Sequence, residues 1–128
     1  METMIFLDTH AVVWLYAGEV DRFPKSAQVR LEAETLVISP MVLIEIQYLH
    51  EIGRVTRAPT LITKELEKTL GLTVKADDFE QIVLSALTQT WTRDPFDRLI
   101  VAQAQLNSAT LLSKDETIRR YYRRAFWE

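Results

Sequence analysis

Met4-Ile5-Phe6-Leu7-Asp8-Thr9 is the stretch on which the fold turns. Four apolar residues run without alternation and stop at an acid. A strand in a parallel sheet reads this way because helices cover both its faces, whereas a half-exposed strand alternates apolar and polar residues. Ala11, Val12, Trp14 and Leu15 follow at helical spacing until Gly18, so a helix leaves the strand at once. The pattern then repeats. Pro24 opens a second helix, Leu36-Val37-Ile38 is a second strand, and Ser39-Pro40 supplies an N-cap with a first-turn proline. The helix these residues start runs from Met41 to about Ile52 and is stopped by Gly53. Thr60 to Leu70 is a more polar helix closed by Gly71, and Leu72-Thr73-Val74 is a third strand. Asp77-Asp78 caps a helix with Phe79, Ile82, Val83, Ala86 and Leu87 at a helical period. Asp94-Pro95 starts another, with Leu99, Ile100, Ala102 and Leu106 on its apolar side. Thr110-Leu111-Leu112-Ser113 is a fourth strand, a short helix follows Asp115, and Phe126-Trp127 is a candidate edge strand. Strands alternating with helices through short connections define an α/β fold: a mainly parallel sheet of 4–5 strands flanked by helices in three layers.

Composition agrees and excludes much else. A chain of 128 residues is one domain by length, 1–128. Its 48% hydrophobic and 26% charged residues are those of a globular domain, not a disordered tail. Only 3 Gly and 4 Pro favour long helices and short loops. No apolar run approaches the roughly 18 residues that span a bilayer. The opening Met-Glu-Thr-Met carries an acid where a secretory leader needs basic residues, so the expectation is a cytoplasmic protein that does not engage a membrane. The absence of cysteine removes disulfides, thiolate nucleophiles, iron–sulfur clusters and cysteine-ligated zinc. His10 and His50 have no metal-type spacing and read as satisfied histidines. Any metal must therefore be held by oxygen. With 15 Lys and Arg against 18 Asp and Glu, the formal charge of −3 excludes a bulk-basic nucleic-acid binder. Arg119, Arg120, Arg123 and Arg124 nevertheless crowd the C-terminus, as a solvated helix face or a phosphate-facing patch.

In parallel sheets ligands bind beyond the carboxyl ends of the strands, and Asp8 and Asp115 stand there. Each has a structural reading as a helix cap. Thr9 is either a second capping residue or a hydroxyl partner for an ion or water. Glu45 lies among Leu43, Ile44, Ile46 and Tyr48, where a carboxylate needs a cation, a salt bridge or hydrogen-bond donors. Asp94 before Pro95 is a strong N-cap; Asp97 three positions on either favours the helix dipole or faces a site. Singly these acids are weak evidence. Together, Asp8, Glu45, Asp97 and Asp115 come from separate elements that the topology brings to one sheet edge. Four carboxylates cannot stay ionised side by side without a cation. An oxygen-only set suits one or two Mg²⁺ or Mn²⁺ ions, and the matching chemistry is hydrolysis of a phosphate ester.

Ile5-Phe6-Leu7-Asp8-Thr9-His10-Ala11-Val12-Val13-Trp14-Leu15 resembles the opening motif of PIN-domain proteins, especially VapC-type toxins of toxin–antitoxin pairs. Ser39-Pro40-Met41-Val42-Leu43-Ile44-Glu45-Ile46 is similar to their second motif. Arg93-Asp94-Pro95-Phe96-Asp97-Arg98-Leu99-Ile100-Val101-Ala102-Gln103-Ala104, the most specific, resembles the third, and Leu111-Leu112-Ser113-Lys114-Asp115 the fourth. The resemblance covers essentially the whole chain. It implies a PIN-like fold and a Mg²⁺- or Mn²⁺-dependent endoribonuclease. Asp8, Glu45 and Asp97 become the metal-binding and catalytic core and Asp115 the less constant fourth acid. Asp94 is carried over as a cap or supporting residue, and Ser113 keeps a hydroxyl where the family often has threonine. The expected partners are an RNA substrate, a second copy in a homodimer, and a cognate antitoxin whose tail crosses the groove and sets a basic side chain near the acids. Lys114 and the C-terminal arginines are candidates for flanking phosphates.

Rival classes make distinct demands. A haloacid-dehalogenase-type phosphatase needs an acid two positions after Asp8, where His10 stands, and a phospho-receiver needs adjacent acids, which Asp8-Thr9 does not supply. A non-catalytic PIN-like interaction module is expected to have lost core acids; all four are present.

Overall fold

The computed structural model describes residues 3–128; Met1 and Glu2, on which the expectation about a leader partly rests, lie outside the described residues. Five strands, β1 (Met4–Leu7), β2 (Thr35–Ile38), β3 (Thr73–Val74), β4 (Thr110–Leu112) and β5 (Ala125–Phe126), form one sheet in the order β3-β2-β1-β4-β5. Every pairing is parallel. Ile5, Phe6 and Leu7 are all fully buried. Successive strand residues point to opposite faces, so both faces of β1 are covered by other layers, as the unbroken apolar run requires.

The chain steps outward from β1 through β2 to β3 and then crosses back to β4 on the other side of β1. Strand order therefore reverses between β1 and β4, where a parallel sheet opens a crevice at its carboxyl edge. The seam is tight there: Phe6 lies opposite Leu111 and Leu7 opposite Leu112, and the Asp8 amide continues it by donating to the Leu112 carbonyl at 3.1 Å.

The described residues form seven α-helices: α1 (Thr9–Tyr16), α2 (Lys25–Ala33), α3 (Pro40–Glu51), α4 (Pro59–Leu70), α5 (Phe79–Ala86), α6 (Pro95–Leu106) and α7 (Glu116–Tyr121). Ser39 caps α3 by accepting from the Met41 amide, as its Ser-Pro pair predicts. Gly71 closes α4 at φ +72°, a left-handed conformation that costs glycine nothing. No described helix is long and apolar enough to cross a membrane.

Three details differ from the sequence expectation. Asp78 stands at the α5 cap position in the left-handed region (φ 62°) and its side chain makes no capping bond, while Asp77 pairs with Lys75. Of the apolar residues on α5 only Ile82 and Ala86 are buried, in a small cluster with Ala102 and Leu99; Phe79 and Leu87 are exposed because this two-turn helix packs mainly against α6. The last strand pairs through Ala125 and Phe126, which leaves Trp127 free to turn into the aromatic packing around Trp14 and Phe23.

Candidate active site

A cleft of about 370 Å³ opens at the carboxyl edge of β1 and β4. Asp8, Glu45, Asp94, Asp97 and Asp115 line it together with Thr9, His10, Trp14 and Arg54. All four acids singled out from the sequence thus meet in one place, each delivered by a different element.

Asp8 ends β1. One carboxylate oxygen accepts from the Thr9 amide at 2.8 Å and the other from the Ser113 hydroxyl at 2.7 Å. Only 6% of Asp8 is exposed and Ser113 is fully buried. The Ser113 oxygen in turn accepts from the Asp115 amide at 3.1 Å, so one hydroxyl ties the acid after β1 to the loop after β4. Asp8 thus caps α1 and lines the cleft at once. The same is true of Asp115, which lines the cleft while capping α7 through the Thr117 and Ile118 amides at 2.8 and 3.0 Å.

Glu45 comes from the middle of α3 and is half-buried. Its partner is neither a lysine nor an arginine but the Thr9 hydroxyl, which donates to it across the cleft. Burial raises the Glu45 carboxyl above the usual range; the Thr9 bond opposes this, and the nearby Asp8 and Asp94 carboxylates add to it.

Asp94 accepts from the Phe96 and Asp97 amides and so caps α6, as expected, while also facing the cleft. Asp97, one turn in, has no hydrogen-bond donor on its carboxylate among the described residues. Burial, followed by the charges of Asp94, Asp8, Asp115 and Glu45, pushes it up to about 7 from 3.8. A carboxyl held neutral by its neighbours is a group that a cation would ionise.

The donor set fits a divalent ion: every acidic ligand is oxygen, and Asp97 is starved of positive charge. Among the described residues no three acids or histidines close on a common point. Hydrogen bonds hold Asp8, Glu45 and Asp115 in place, so an ion there would keep waters between itself and some carboxylates, as Mg²⁺ commonly does.

Two cleft residues escaped the sequence reading. His10, read as an ordinary histidine, sits in the wall: its Nε2 accepts from the Lys114 amide at 2.9 Å and its Nδ1 lies 3.6 Å from Asp8. Burial lowers its pKa against the pull of Asp8 and Asp115, and the Trp14 and Trp127 rings stand 5.0 and 5.9 Å away. The Asp-x-His spacing was its only visible signal. Arg54 carries no motif; its place follows from the loop after α3 folding back over the cleft. The four C-terminal arginines are not among the lining residues, and two of them turn to backbone carbonyls, Arg119 to Lys114 and Arg124 to Ser108.

A five-stranded parallel sheet with an acidic cleft at its switch point is the architecture of the PIN domain, and the PIN family model matches residues 5–124. The chain belongs to the PIN-domain family. It is 28% identical over 123 residues to Ribonuclease VapC22 of Mycobacterium tuberculosis (strain ATCC 25618 / H37Rv), covering 91% of each chain. Its fold matches VapBC2 from Rickettsia felis, solved bound to a promoter DNA fragment, with a TM-score of 0.62, 18% identity and 92% of each chain covered. A toxin–antitoxin complex from Klebsiella pneumoniae matches at 0.60 and 14%, covering 95% of each.

Proposed function

We propose that the chain, as one PIN domain over residues 1–128, is a Mg²⁺- or Mn²⁺-dependent endoribonuclease of the VapC toxin type. The observation that carries this reading is the meeting of Asp8, Glu45, Asp97 and Asp115 in one cleft at the β1–β4 switch point. The relatives lend their weight: one is a ribonuclease and others come from toxin–antitoxin complexes. Its partners on this reading are cytoplasmic RNA, a cognate antitoxin and a second copy in a homodimer.

In this role Asp8 and Asp97 would hold the cation, with Glu45 and Asp115 assisting directly or through water. When bound, the ion makes water more acidic and offsets negative charge on the phosphate. The chain's own contribution is positional. Ser113 and the Thr9 amide fix both oxygens of Asp8, and the Thr9 hydroxyl aims Glu45. Hydrolysis adds a water oxygen to phosphorus and releases the bridging oxygen as a hydroxyl.

The test is incubation of purified protein with total RNA in Mg²⁺, Mn²⁺ or EDTA, beside folded Asp8→Asn and Asp97→Asn variants. Discrete cuts that need metal and fall by about 10²–10³-fold in both variants are expected. No cutting with either metal, or equal cutting by the variants, refutes the nuclease and favours an interaction module.

A further inference from the structure

The acidic cleft does not end at its acids. Val13, Trp14, Arg54 and Val55 form a wall shared with a second groove of about 410 Å³, which continues to Arg22 and Arg57. Charge changes sign across this wall, carboxylates on one side and guanidinium groups on the other. Glu19 neutralises Arg22, whose guanidinium lies 4.9 Å from the Trp14 ring centre. Arg54 and Arg57 are different: both are exposed and neither joins an ion pair among the described residues. In a chain of net charge −3 whose adjoining cleft holds five acids, two uncommitted arginines mark a place kept for an outside anion.

Their loop is held rather than loose. Gly53 turns the chain at φ +80°, the Arg54 and Val55 amides donate to the Leu49 carbonyl, and His50 Nδ1 bonds the Val55 carbonyl at 2.9 Å. Val55 packs against the main core. The base of the loop is thus fixed, and Arg54 is set on the boundary of the two grooves.

We infer that Arg54 and Arg57 form a phosphate-binding track that holds single-stranded RNA on one side of the phosphodiester in the acidic cleft. The inference rests on the nuclease reading for its choice of RNA. Guanidinium groups suit phosphate oxygens because their paired N–H donors match them in plane. Trp14 is already engaged by Arg22 and, 5.6 Å from its ring centre, by Lys114. Recognition along the track is therefore of backbone, not of bases, and carries no sequence preference.

The experiment is fluorescence anisotropy with a labelled 12-nucleotide oligouridylate in EDTA, where no metal-dependent cutting interferes, across a salt series. Arg54→Gln/Arg57→Gln is compared with Lys64→Gln/Lys68→Gln, an equal charge change on α4 beside a separate depression. The arginine pair is expected to weaken binding about tenfold and to flatten the salt dependence by about 1.4, two single-strand phosphate contacts at about 0.7 each. The lysine pair is expected to bind as wild type. Undetectable wild-type binding, unchanged binding in the arginine variant, or equal loss in the lysine variant overturns the track. Normal binding by the arginine variant of a protein that cuts RNA removes the track and leaves the nuclease. Arginine-dependent binding by a protein that cuts nothing does the reverse.

Discussion

The β1–β4 seam and the N-terminus of α6 each present one aspartate to the same cleft, under opposite conditions. At the seam Asp8 is nearly enclosed, and both its oxygens accept hydrogen bonds. At α6, Asp97 is half-buried, receives no side-chain hydrogen bond among the described residues, and is pushed toward neutrality by burial first and then by four other carboxylates. The first acid has both its oxygens held by donors that the protein itself supplies. The second is held in an environment that suits it only when positive charge arrives. On the proposed function, preorganisation and affinity for a cation are divided between two residues, not combined in each.

The largest effect that sharpens this contrast is metal stabilisation. Saturating Mg²⁺ or Mn²⁺ at 100 times its Kd should add about 2.7 kcal/mol to the unfolding free energy. Denaturant melts with and without EDTA would measure it. In Asp97→Asn the gain should vanish; its survival would mean that Asp97 is not where the charge is needed.

Next comes the tie on Asp8. Ser113→Ala removes the hydroxyl that serves both Asp8 and the Asp115 amide, and it should destabilise the fold by about 1–3 kcal/mol. Urea unfolding would show it. Ser113→Thr keeps the hydroxyl and should recover part of the loss, whereas equal losses in both variants would indicate that packing dominates.

The smallest effect is a dependence on pH. Asp97 is protonated in the fold up to about 7 but ionises near 3.8 when freed. Between those values the unfolded chain binds fewer protons, so Asp97's contribution to metal-free stability is present below about 3.8 and is lost as pH rises through about 7. His10, whose pKa is lowered, acts in the opposite sense as pH falls through its range. The informative quantity is therefore the difference between wild type and Asp97→Asn. Thermal melts in EDTA should show the variant gaining on wild type as pH rises from 4 to 8; a constant difference would contradict the raised value.

What was legible in the sequence follows the same division. Asp8 and Asp115 stood out because apolar strands end beside them, and Asp94 and Asp97 because a proline marks the start of their helix. Those are local signals, and they survived folding: the strands, the caps at Asp8, Asp94 and Asp115, and the four acids lie where their neighbours indicated. Glu45 was legible as a misfit among apolar residues, yet its partner, Thr9, was not, because 36 residues separate them. Arg54 was invisible for a stronger reason. A loop residue after Gly53 has no periodic context, and only tertiary packing decides which cleft it overlooks. The outward turn of Phe79 and Leu87 is the converse case, since an apolar period identifies the helix without saying how much of its surface finds a neighbour.

The seam itself has a consequence in time. Asp8 and Ser113 are 105 positions apart, and β4 must dock beside β1 before the hydroxyl reaches the carboxylate. During synthesis the first acid leaves the ribosome long before its orienting partner, Ser113, and the fourth acid, Asp115. A nascent chain that stops short of Asp115 therefore carries no assembled acid cluster. Whatever chemistry the cleft performs is withheld from the ribosome that makes it until Ser113 and Asp115 have been added.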